Sequence, residues 1–544
     1  MVALDDVRSW DSSSLMAASD DLMRRWRELA VVHASWTDEV VADGWVGPAA
    51  DAAREAIRGV RSDLRGASAE LLRVATCIAE ASIDMASLLA ALHAVEQDAT
   101  EARFGVGSDG SVTDSVASYS VALADVWSTM RDRHRLREEL AERISQLVRM
   151  ATAFDDALAR RLADAKLPAT FVASAVVASV PREATPAANS AFWSALSPAA
   201  RTRLIVEQPE RIGNLDGLPA RVRDSANRRV LAAERLRLRA AETELRKELE
   251  DNVFGGIFID ADAGLQQTRM RLASLDAIES TLAQGARQLL VLDNSSYEET
   301  MAAVAVGDVD TATHVAVFVP GLGSTVHGDL ERYDGDIEGL KLAAQQLLPR
   351  GPAENVAAVT WMNYQAPQLG WNLLDPDRSV VSGLAAQAGS GRLVPFLDGL
   401  DAARIDDPHL SVLGHSYGSL TAASALQEGT GVDDFVALGS PGLGTPTVAD
   451  LELPAGHVFV AEATGDVVAD LGAFGRDPGA LDGITLFSTD GSDGQSSSIG
   501  HNDYLAEATT SRYNTALVVA DRSEDAVIRT RPALFDLLQK ILYS

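Results

Sequence analysis

The 544-residue sequence contains one cysteine, Cys77, so it can form no intrachain disulfide. A small secreted scaffold held together by disulfides is therefore excluded. Positive charge is also scarce, because 47 Lys and Arg residues stand against 78 Asp and Glu residues, for a net charge of −31. Nucleic-acid binders and electrostatic membrane anchors need a basic surface. We therefore expect no nucleic-acid partner and no electrostatic anchoring at a membrane.

Metal and cofactor motifs are missing too. The sequence has no His/Cys cluster at metal-ligand spacing and no G-x-G-x-x-G at the head of a strand–helix–strand unit, so we predict no metal and no cofactor. The acidic N-terminus, MVALDDVRSWDSSS, lacks the apolar core of a Sec signal peptide. The longest weakly polar stretch, Leu167–Val180, is too short to cross a bilayer and is interrupted by polar residues. We expect no transmembrane segment, and a protein that is cytoplasmic or exported by a route other than Sec.

The first third of the chain has helical periodicity. Apolar residues from Ile57 to Val95 recur at alternating steps of three and four, which is typical of a long helix packed along a partner helix. The segment Leu15–Val40 has compatible spacing, and the turn residues of Asp43–Pro48 separate the two. A third stripe runs from Leu136 to Leu162. The pattern predicts an antiparallel bundle of long helices over residues 1–166, with a hairpin at 12–104 and a loop at 105–111.

The pattern then changes twice. An Ala/Val/Pro-rich stretch predicts a linker over 167–189, and residues 190–287 are mostly helical in pattern. From about residue 288, short β-branched runs alternate with helical patterns, which predicts a mostly parallel sheet with helices on both faces. The predicted strands are Leu289–Leu292, Met301–Val306, Val315–Val319, Val356–Trp361, Leu410–Leu413, Phe435–Leu438, Val458–Val460 and Ile484–Phe487.

A nucleophile motif lies between one predicted strand and a helix. Gly414-His415-Ser416-Tyr417-Gly418 is a G-x-S-x-G pattern, preceded by a buried apolar run and followed by an alanine-rich helix. This context is the one that a strained nucleophile turn requires, with the small residues Gly414 and Gly418 on either side of Ser416. The alternative is an ordinary strand–helix turn whose glycines only permit a sharp reversal.

Residues for an acid and a base follow in the order Ser, Asp, His that this fold class uses. Asp466 comes directly after the strand near Val458, where catalytic residues of open α/β sheets collect. Asp470 is the reserve candidate. His501 is the only histidine after Asp466, and it begins the helical-looking segment HNDYLAEA. We therefore predict a Ser416–Asp466–His501 triad.

An oxyanion hole would combine two backbone N–H groups. The first predicted donor is Tyr417, which follows the nucleophile. The second is Leu322 or Gly323, in the glycine-containing loop Pro320–Thr325 after a buried strand, and the sequence leaves both open. A phosphate-binding loop is disfavoured because no Gly-Lys-Ser/Thr follows.

With these residues in hand, the chain from about Ser190 resembles an actinobacterial α/β-hydrolase family that was long catalogued as a domain of unknown function. The matching segments are LSPAARTRLIVEQPERIGNLDGLPARVRDSANR, AVAVGDVDTATHVAVFVPGLGST, GHSYGS, GDVVADLG and GHNDYL. The resemblance implies an esterase-like fold with a Ser-Asp-His triad, and it implies no substrate. Residues 288–544 would form the hydrolase domain, with 190–287 packing on it or capping it.

A second resemblance concerns the helical bend. Trp45-Val46-Gly47 makes the hairpin similar to the Trp-X-Gly proteins exported by type VII secretion, and implies a protein partner bound by the N-terminal helices. Those proteins carry a Tyr-x-x-x-Asp/Glu signal after the second helix, whereas here Leu123 stands four residues after Tyr119. The export signal is thus absent at the expected place.

Together these observations favour a serine hydrolase acting on a small-molecule or lipid-like acyl ester. Trp361, Tyr364 and Trp371 follow a predicted strand, and they either line an acyl pocket or a lid, or belong to the core. One alternative is a secretion-associated interaction protein whose hydrolase fold is a non-catalytic or weakly catalytic scaffold. Another is a peptidase, which would use the same triad.

Overall fold

The structure is a computed structural model that describes residues 2–35, 46–116, 126–163, 180–181, 184–251, 260–349, 354–368, 383–404, 406–466, 468–469, 474–492 and 494–529. Its helices are α1 Leu4–Arg8, α2 Ser12–Ser35, α3 Pro48–Glu101, α4 Val126–Ala163, α5 Pro186–Ser194, α6 Pro198–Glu207, α7 Pro209–Gly213, α8 Ala220–Asp251, α9 Asp260–Leu282, α10 Val326–Leu347, α11 Leu384–Ala402, α12 Tyr417–Leu426 and α13 Thr510–Val519. Its strands are β1 Phe104–Val106, β2 Val112–Asp114, β3 Arg287–Asp293, β4 Met301–Val306, β5 His314–Val319, β6 Val356–Met362, β7 His409–His415, β8 Asp434–Leu438, β9 Val458–Ala461 and β10 Thr485–Phe487.

The chain divides into two compact units. The first comprises Met1–Tyr119, Arg133–Ala184 and Ala188–Arg203, and the second comprises Leu204–Ser544 together with the short segments 120–132 and 185–187. The linker predicted at 167–189 lies mostly outside the described residues, and Trp45 at the predicted bend lies outside them as well. The likeness to Trp-X-Gly proteins therefore stays a prediction.

The helical unit is an antiparallel bundle, as predicted. Ser19 donates a hydrogen bond to the Ala75 carbonyl oxygen (2.8 Å) and Ser82 donates one to the Ser12 carbonyl oxygen (2.7 Å). The helices α2 and α3 are therefore antiparallel. In the same way α4 runs opposite to α3, with ion pairs between Arg143 and Asp98 and between Arg161 and Glu80. The heptad residues form the buried core, which includes Leu88, Leu92, Val95, Leu140, Ile144 and Leu147.

Two features of this unit differ from the sequence-based expectation. The region predicted as a loop at 105–111 belongs to a small hairpin, in which β1 pairs antiparallel with β2 around residues 107–111. In addition, the segment Ser68–Glu101 of α3 is long and apolar enough to cross a membrane by length and composition, although no such segment was expected. A buried core helix passes the same test, and Leu88, Leu92 and Val95 of this segment are buried within the bundle.

The second unit is built on one eight-stranded sheet with the order β3-β4-β6-β5-β7-β8-β9-β10. All eight predicted strands form, and every neighbouring pair is parallel except the two pairs made by β4. The strand β6, which comes next in the chain after β5, lies on one side of β5, and β7 lies on its other side. The strand order therefore reverses between β5 and β7. Ligands of open α/β sheets bind beyond the carboxyl ends of the strands at such a reversal.

Helices cover both faces of the sheet. One face carries α11 and α12, with Phe396, Leu397 and Leu420 in its core. The other carries α8, α9, α10 and α13, with Leu275 and Ile278 of α9 in its core. The segment predicted to pack on the hydrolase or cap it therefore contributes α8 and α9 to one face of the sheet.

The outer edge of β3 is closed by side chains from α8 and the residue after α7. Leu289 N–H donates to Asp224 (2.7 Å), Leu292 N–H donates to Asn214 (2.9 Å), and Asn227 donates to the Leu289 carbonyl oxygen (3.0 Å). An exposed sheet edge presents unpaired backbone groups that invite aggregation. These polar residues of the segment IGNLDGLPARVRDSANR give that edge its hydrogen-bond partners.

Candidate active site

Ser416 occupies a strained turn at the carboxyl end of β7. Its φ of 53° and ψ of −130° are rare for a residue with a side chain, and such strain costs on the order of 1–3 kcal/mol. The turn is held by hydrogen bonds from Ser416 N–H to the Leu438 carbonyl oxygen (2.9 Å) and from the Ser419 hydroxyl to the Ser416 carbonyl oxygen (2.6 Å). The strand–turn–helix context predicted from G-x-S-x-G is therefore the observed one.

The two glycines of the motif provide the space that this turn needs. A Cβ atom on Gly414 would lie 2.5 Å from Ser419 Cα, and one on Gly418 would lie 2.6 Å from the Pro320 carbonyl oxygen and closer still to that of Val319. Real Cβ atoms do not approach backbone this closely. Only glycine at both positions lets β7, α12 and the end of β5 come together.

Asp466 and His501 meet in space although 35 residues separate them. His501 Nδ1 lies 2.9 Å from both carboxylate oxygens of Asp466. The two loops that carry them run side by side, joined by a parallel bridge between Thr464 and Ile499. The side chain of Asp466 is fully buried, whereas that of His501 is 24% exposed. Asp470, the reserve acid, lies outside the described residues.

The segment after His501 is not helical, contrary to the expectation for HNDYLAEA. It consists of turns, and the next helix, α13, begins only at Thr510. His501 is thus held by its contacts rather than by a regular element.

The Asp466 carboxylate is surrounded by hydrogen-bond donors. Besides His501, it accepts the Tyr504 hydroxyl at 2.6 Å and the N–H groups of Val468 and Ala469 at 3.0 and 3.2 Å. Burial alone would raise the pKa of Asp466, but the hydrogen bonds from His501 and Tyr504 outweigh it and hold this pKa below its ordinary value. The carboxylate is therefore charged near neutral pH.

The glycine-containing loop after β5 lies directly against Ser416. A Cβ atom on Gly321 would be 2.6 Å from Ser416 Cβ and 2.9 Å from Tyr417 N. Of the two donors left open by the sequence, Gly323 N–H is engaged, because it donates to the Pro367 carbonyl oxygen at 2.8 Å. Leu322 N–H makes no hydrogen bond to any residue of the described ranges.

The aromatic residues after β6 divide between core and loop support. Trp361 is fully buried and packs against Phe396, so it belongs to the core. Tyr364 is buried as well, and its hydroxyl donates to the Pro320 carbonyl oxygen at 2.6 Å, which anchors the loop beside Ser416. Trp371 lies outside the described residues.

Two residues of the site were not predicted as site residues. Tyr504 contacts Asp466 as described, and His415, the residue before Ser416, places its Nε2 2.7 Å from the His501 carbonyl oxygen. Both lie within the quoted segments GHNDYL and GHSYGS, but neither has a spacing that indicates a role. In the part of the chain that the structure describes, no group of three or more His, Cys, Asp or Glu residues could hold a metal ion.

Comparison with known proteins identifies the second unit. A family model described as "Alpha/beta hydrolase" matches residues 296–476. An uncharacterized protein of Mycobacterium bovis, Mb0988c, is 36% identical over 231 residues, which are 40% of this chain and 83% of that protein. The chain belongs to the α/β hydrolase family. This confirms the actinobacterial α/β-hydrolase resemblance.

Other similarities cover a smaller part of the relative or have a lower sequence identity. The uncharacterized protein Rv2079 of Mycobacterium tuberculosis is 33% identical over 294 residues, which are 52% of this chain. The match spans only 43% of that relative's length. Among solved structures, a hyperthermophilic esterase from Pyrobaculum calidifontis aligns with 52% of this chain and 97% of its own, at 13% identity and a TM-score of 0.30. A likeness at this level says nothing about the reaction.

Proposed function

We propose that this α/β hydrolase is a serine esterase with Ser416, His501 and Asp466 as its triad. The observation that carries the proposal is the hydrogen-bonded pair of a buried, charged Asp466 and a partly exposed His501. The pair belongs to loops that follow the carboxyl ends of β9 and β10, and Ser416 follows the carboxyl end of β7 in the same parallel part of the sheet. The residues follow in the chain order Ser, Asp, His that α/β hydrolases use.

In the proposed reaction, Ser416 Oγ attacks the carbonyl carbon of an ester and its proton passes to His501 Nε2. Asp466 accepts from His501 Nδ1–H, which fixes the tautomer and stabilises the imidazolium that forms. The alcohol then leaves with the proton from His501. Water, activated by the same ring, releases the acid from the acyl-enzyme.

The developing oxyanion needs backbone donors beside Ser416. We assign the N–H groups of Tyr417 and Leu322 to this role. Tyr417 is the first residue of α12, and its N–H lies at the positive end of that helix. Leu322 is favoured over Gly323 because the Gly323 N–H already donates to Pro367.

The substrate proposed is a small-molecule or lipid-like acyl ester, and the N-terminal helical unit is proposed to bind a protein partner. The test of the enzymatic part is labelling with a fluorophosphonate probe, which reacts with activated serines. We expect wild-type protein to be labelled at Ser416 and the Ser416→Ala variant to be unlabelled. The matched control is Ser424→Ala, a serine on the same helix whose hydroxyl donates to the Leu420 carbonyl oxygen of its own helix.

Equal labelling of wild type and Ser416→Ala would remove Ser416 from the reaction. No labelling of a folded wild-type protein would instead favour the alternative, a non-catalytic hydrolase scaffold in an interaction protein. Turnover of p-nitrophenyl esters against that of peptide anilides separates an esterase from a peptidase. The esterase proposal predicts much faster turnover of the ester.

A further inference from the structure

The side chain of His415 lies between the nucleophile turn and the proposed catalytic histidine. His415 is the last residue of β7 and directly precedes Ser416. Its Nε2 lies 2.7 Å from the His501 carbonyl oxygen, and the two rings are 4.8 Å apart between centroids. The Phe318 ring stacks on the His415 ring with a centroid distance of 6.5 Å, and the centroid of the Tyr504 ring lies 6.0 Å from that of His415.

We propose that His415 is a positioning residue, whose Nε2–H donates to the His501 carbonyl oxygen and thereby holds the His501 loop in register with Ser416. The inference rests on the proposed function, because it assigns His501 as the base. A carbonyl oxygen can only accept, so the proton of the His415 ring is on Nε2. The bond links the residue next to the nucleophile with the base itself.

The need for such a link follows from where His501 lies. The described residues of its segment, between β10 and α13, form turns and bends rather than a helix. Asp466 anchors the ring at Nδ1, and Gly500 N–H donates to the Thr464 carbonyl oxygen at 3.1 Å. Both of these contacts tie His501 to the loop after β9. Of the contacts described here, the His415 bond and ring packing tie it to β7, which carries Ser416.

The charge of the His415 ring also suits this role. A cationic neighbour would oppose the imidazolium that His501 forms during the reaction. Burial, together with the adjacent His501 ring, lowers the pKa of His415 to about 4. His415 is therefore a neutral donor near neutral pH.

The test compares two replacements of His415. Phenylalanine keeps a ring but has no donor, whereas glutamine keeps a neutral N–H that can reach the same carbonyl. A misplacement of about 1 Å in a catalytic group costs roughly 100-fold in rate. We expect His415→Phe to lower the fluorophosphonate labelling rate and kcat for a p-nitrophenyl ester by about 10- to 100-fold, with KM nearly unchanged. His415→Gln should restore most of the loss.

Thermal unfolding of each variant separates positioning from folding. If His415→Phe keeps wild-type kcat, or if His415→Gln loses as much kcat at an equal Tm, the positioning role is wrong. If wild type itself is not labelled, the proposed function fails instead.

In that case ¹⁵N spectra of the histidine rings still test the link. The expected result is a neutral Nε2–H tautomer for His415 and altered His501 ring signals in His415→Phe. An Nδ1–H tautomer, or unchanged His501 signals, would overturn it.

Discussion

Tyr504 bridges the end of β9 and the proposed catalytic acid. Its hydroxyl donates to Asp466 Oδ2 at 2.6 Å and accepts the Ala463 N–H at 2.9 Å. The phenol is 1% exposed, and burial, with the neighbouring Asp466 charge, raises the pKa of Tyr504. It is therefore a permanent donor, and it fills one acceptor position of the carboxylate that His501 leaves open.

Replacing this hydroxyl should weaken the triad without altering its members. A hydrogen bond to a charged group is worth about 1.5–3 kcal/mol, so we expect Tyr504→Phe to lower kcat for an ester by about 10- to 100-fold. The control is Tyr513→Phe on α13, whose hydroxyl makes no hydrogen bond within the described residues. Equal kcat values in the two variants would show that the Tyr504 hydroxyl does not support catalysis.

The nucleophile turn should tolerate no side chain at Gly418. Alanine there would overlap the Val319 and Pro320 carbonyl oxygens, and overpacking costs roughly 1–3 kcal/mol and occasionally more. We expect Gly418→Ala to lower Tm strongly and abolish probe labelling. Gly335→Ala is the matched control, because its Cβ on α10 meets nothing within 4 Å and helix propensity should raise stability by about 0.5–1 kcal/mol.

A second buried carboxylate makes stability depend on pH. Asp434 joins two histidines, at 2.8 Å from His457 Nδ1 and 2.9 Å from His409 Nε2. Asp433 lies 3.7 Å and Asp521 4.0 Å from the other nitrogen of His409. The hydrogen bond to Asp434 raises the pKa of His457 above its ordinary value. For Asp434, burial is outweighed by the two histidine hydrogen bonds, which lower its pKa.

A histidine with a raised folded pKa stabilises fully below about pH 6.5, and this stabilisation is lost as pH rises through the folded pKa. The Asp434 contribution is lost only at strongly acidic pH. We expect His457→Gln to lower Tm more at pH 5.5 than at pH 8.5. In free energy of unfolding, the destabilisation should be about 1 kcal/mol larger at pH 5.5 than at pH 8.5. The value is small because His457 is 39% exposed, so that solvent screens its interaction with Asp434.

Thermal unfolding at the two pH values provides the measurement. His134→Gln on α4 is the control, since its side chain is 62% exposed beside Glu138 and its loss should change Tm little at either pH. A Tm deficit of His457→Gln that is the same at pH 5.5 and pH 8.5 would contradict the assignment.

The last prediction concerns the boundary between the units. The sequence places the start of the hydrolase part near Ser190, whereas the structure groups 188–203 with the helical unit, where Ala191 and Ala195 join its core. We expect a chain beginning at Leu204 to remain soluble and probe-reactive. A chain beginning at Gln288 should aggregate, because it loses α8, α9 and the side chains of Asn214, Asp224 and Asn227 that close the edge of β3.

Probe labelling and gel filtration of the two truncated chains decide this prediction. If the chain from Gln288 folds and reacts while the chain from Leu204 is insoluble, α8 and α9 do not belong to the folding unit of the sheet.

The sequence alone determined the elements and their order. Helical heptads and β-branched runs are local patterns, since a side chain's spacing along one element decides which face it presents. For that reason the long helices and all eight strands of the main sheet were predicted near their observed positions. The glycines around Ser416 and the chain order of Asp466 and His501 can likewise be read from the sequence without knowing the fold.

Only the tertiary structure decided which of these residues meet. The contact of Asp466 with His501 depends on the adjacent loops after β9 and β10, and the engagement of Gly323 N–H depends on Pro367, 44 residues further along the chain. The same holds for His415 and Tyr504, whose partners are distant in sequence or lie on the backbone. Hydrogen bonds of this kind follow from sheet order and loop packing, and no residue spacing encodes them.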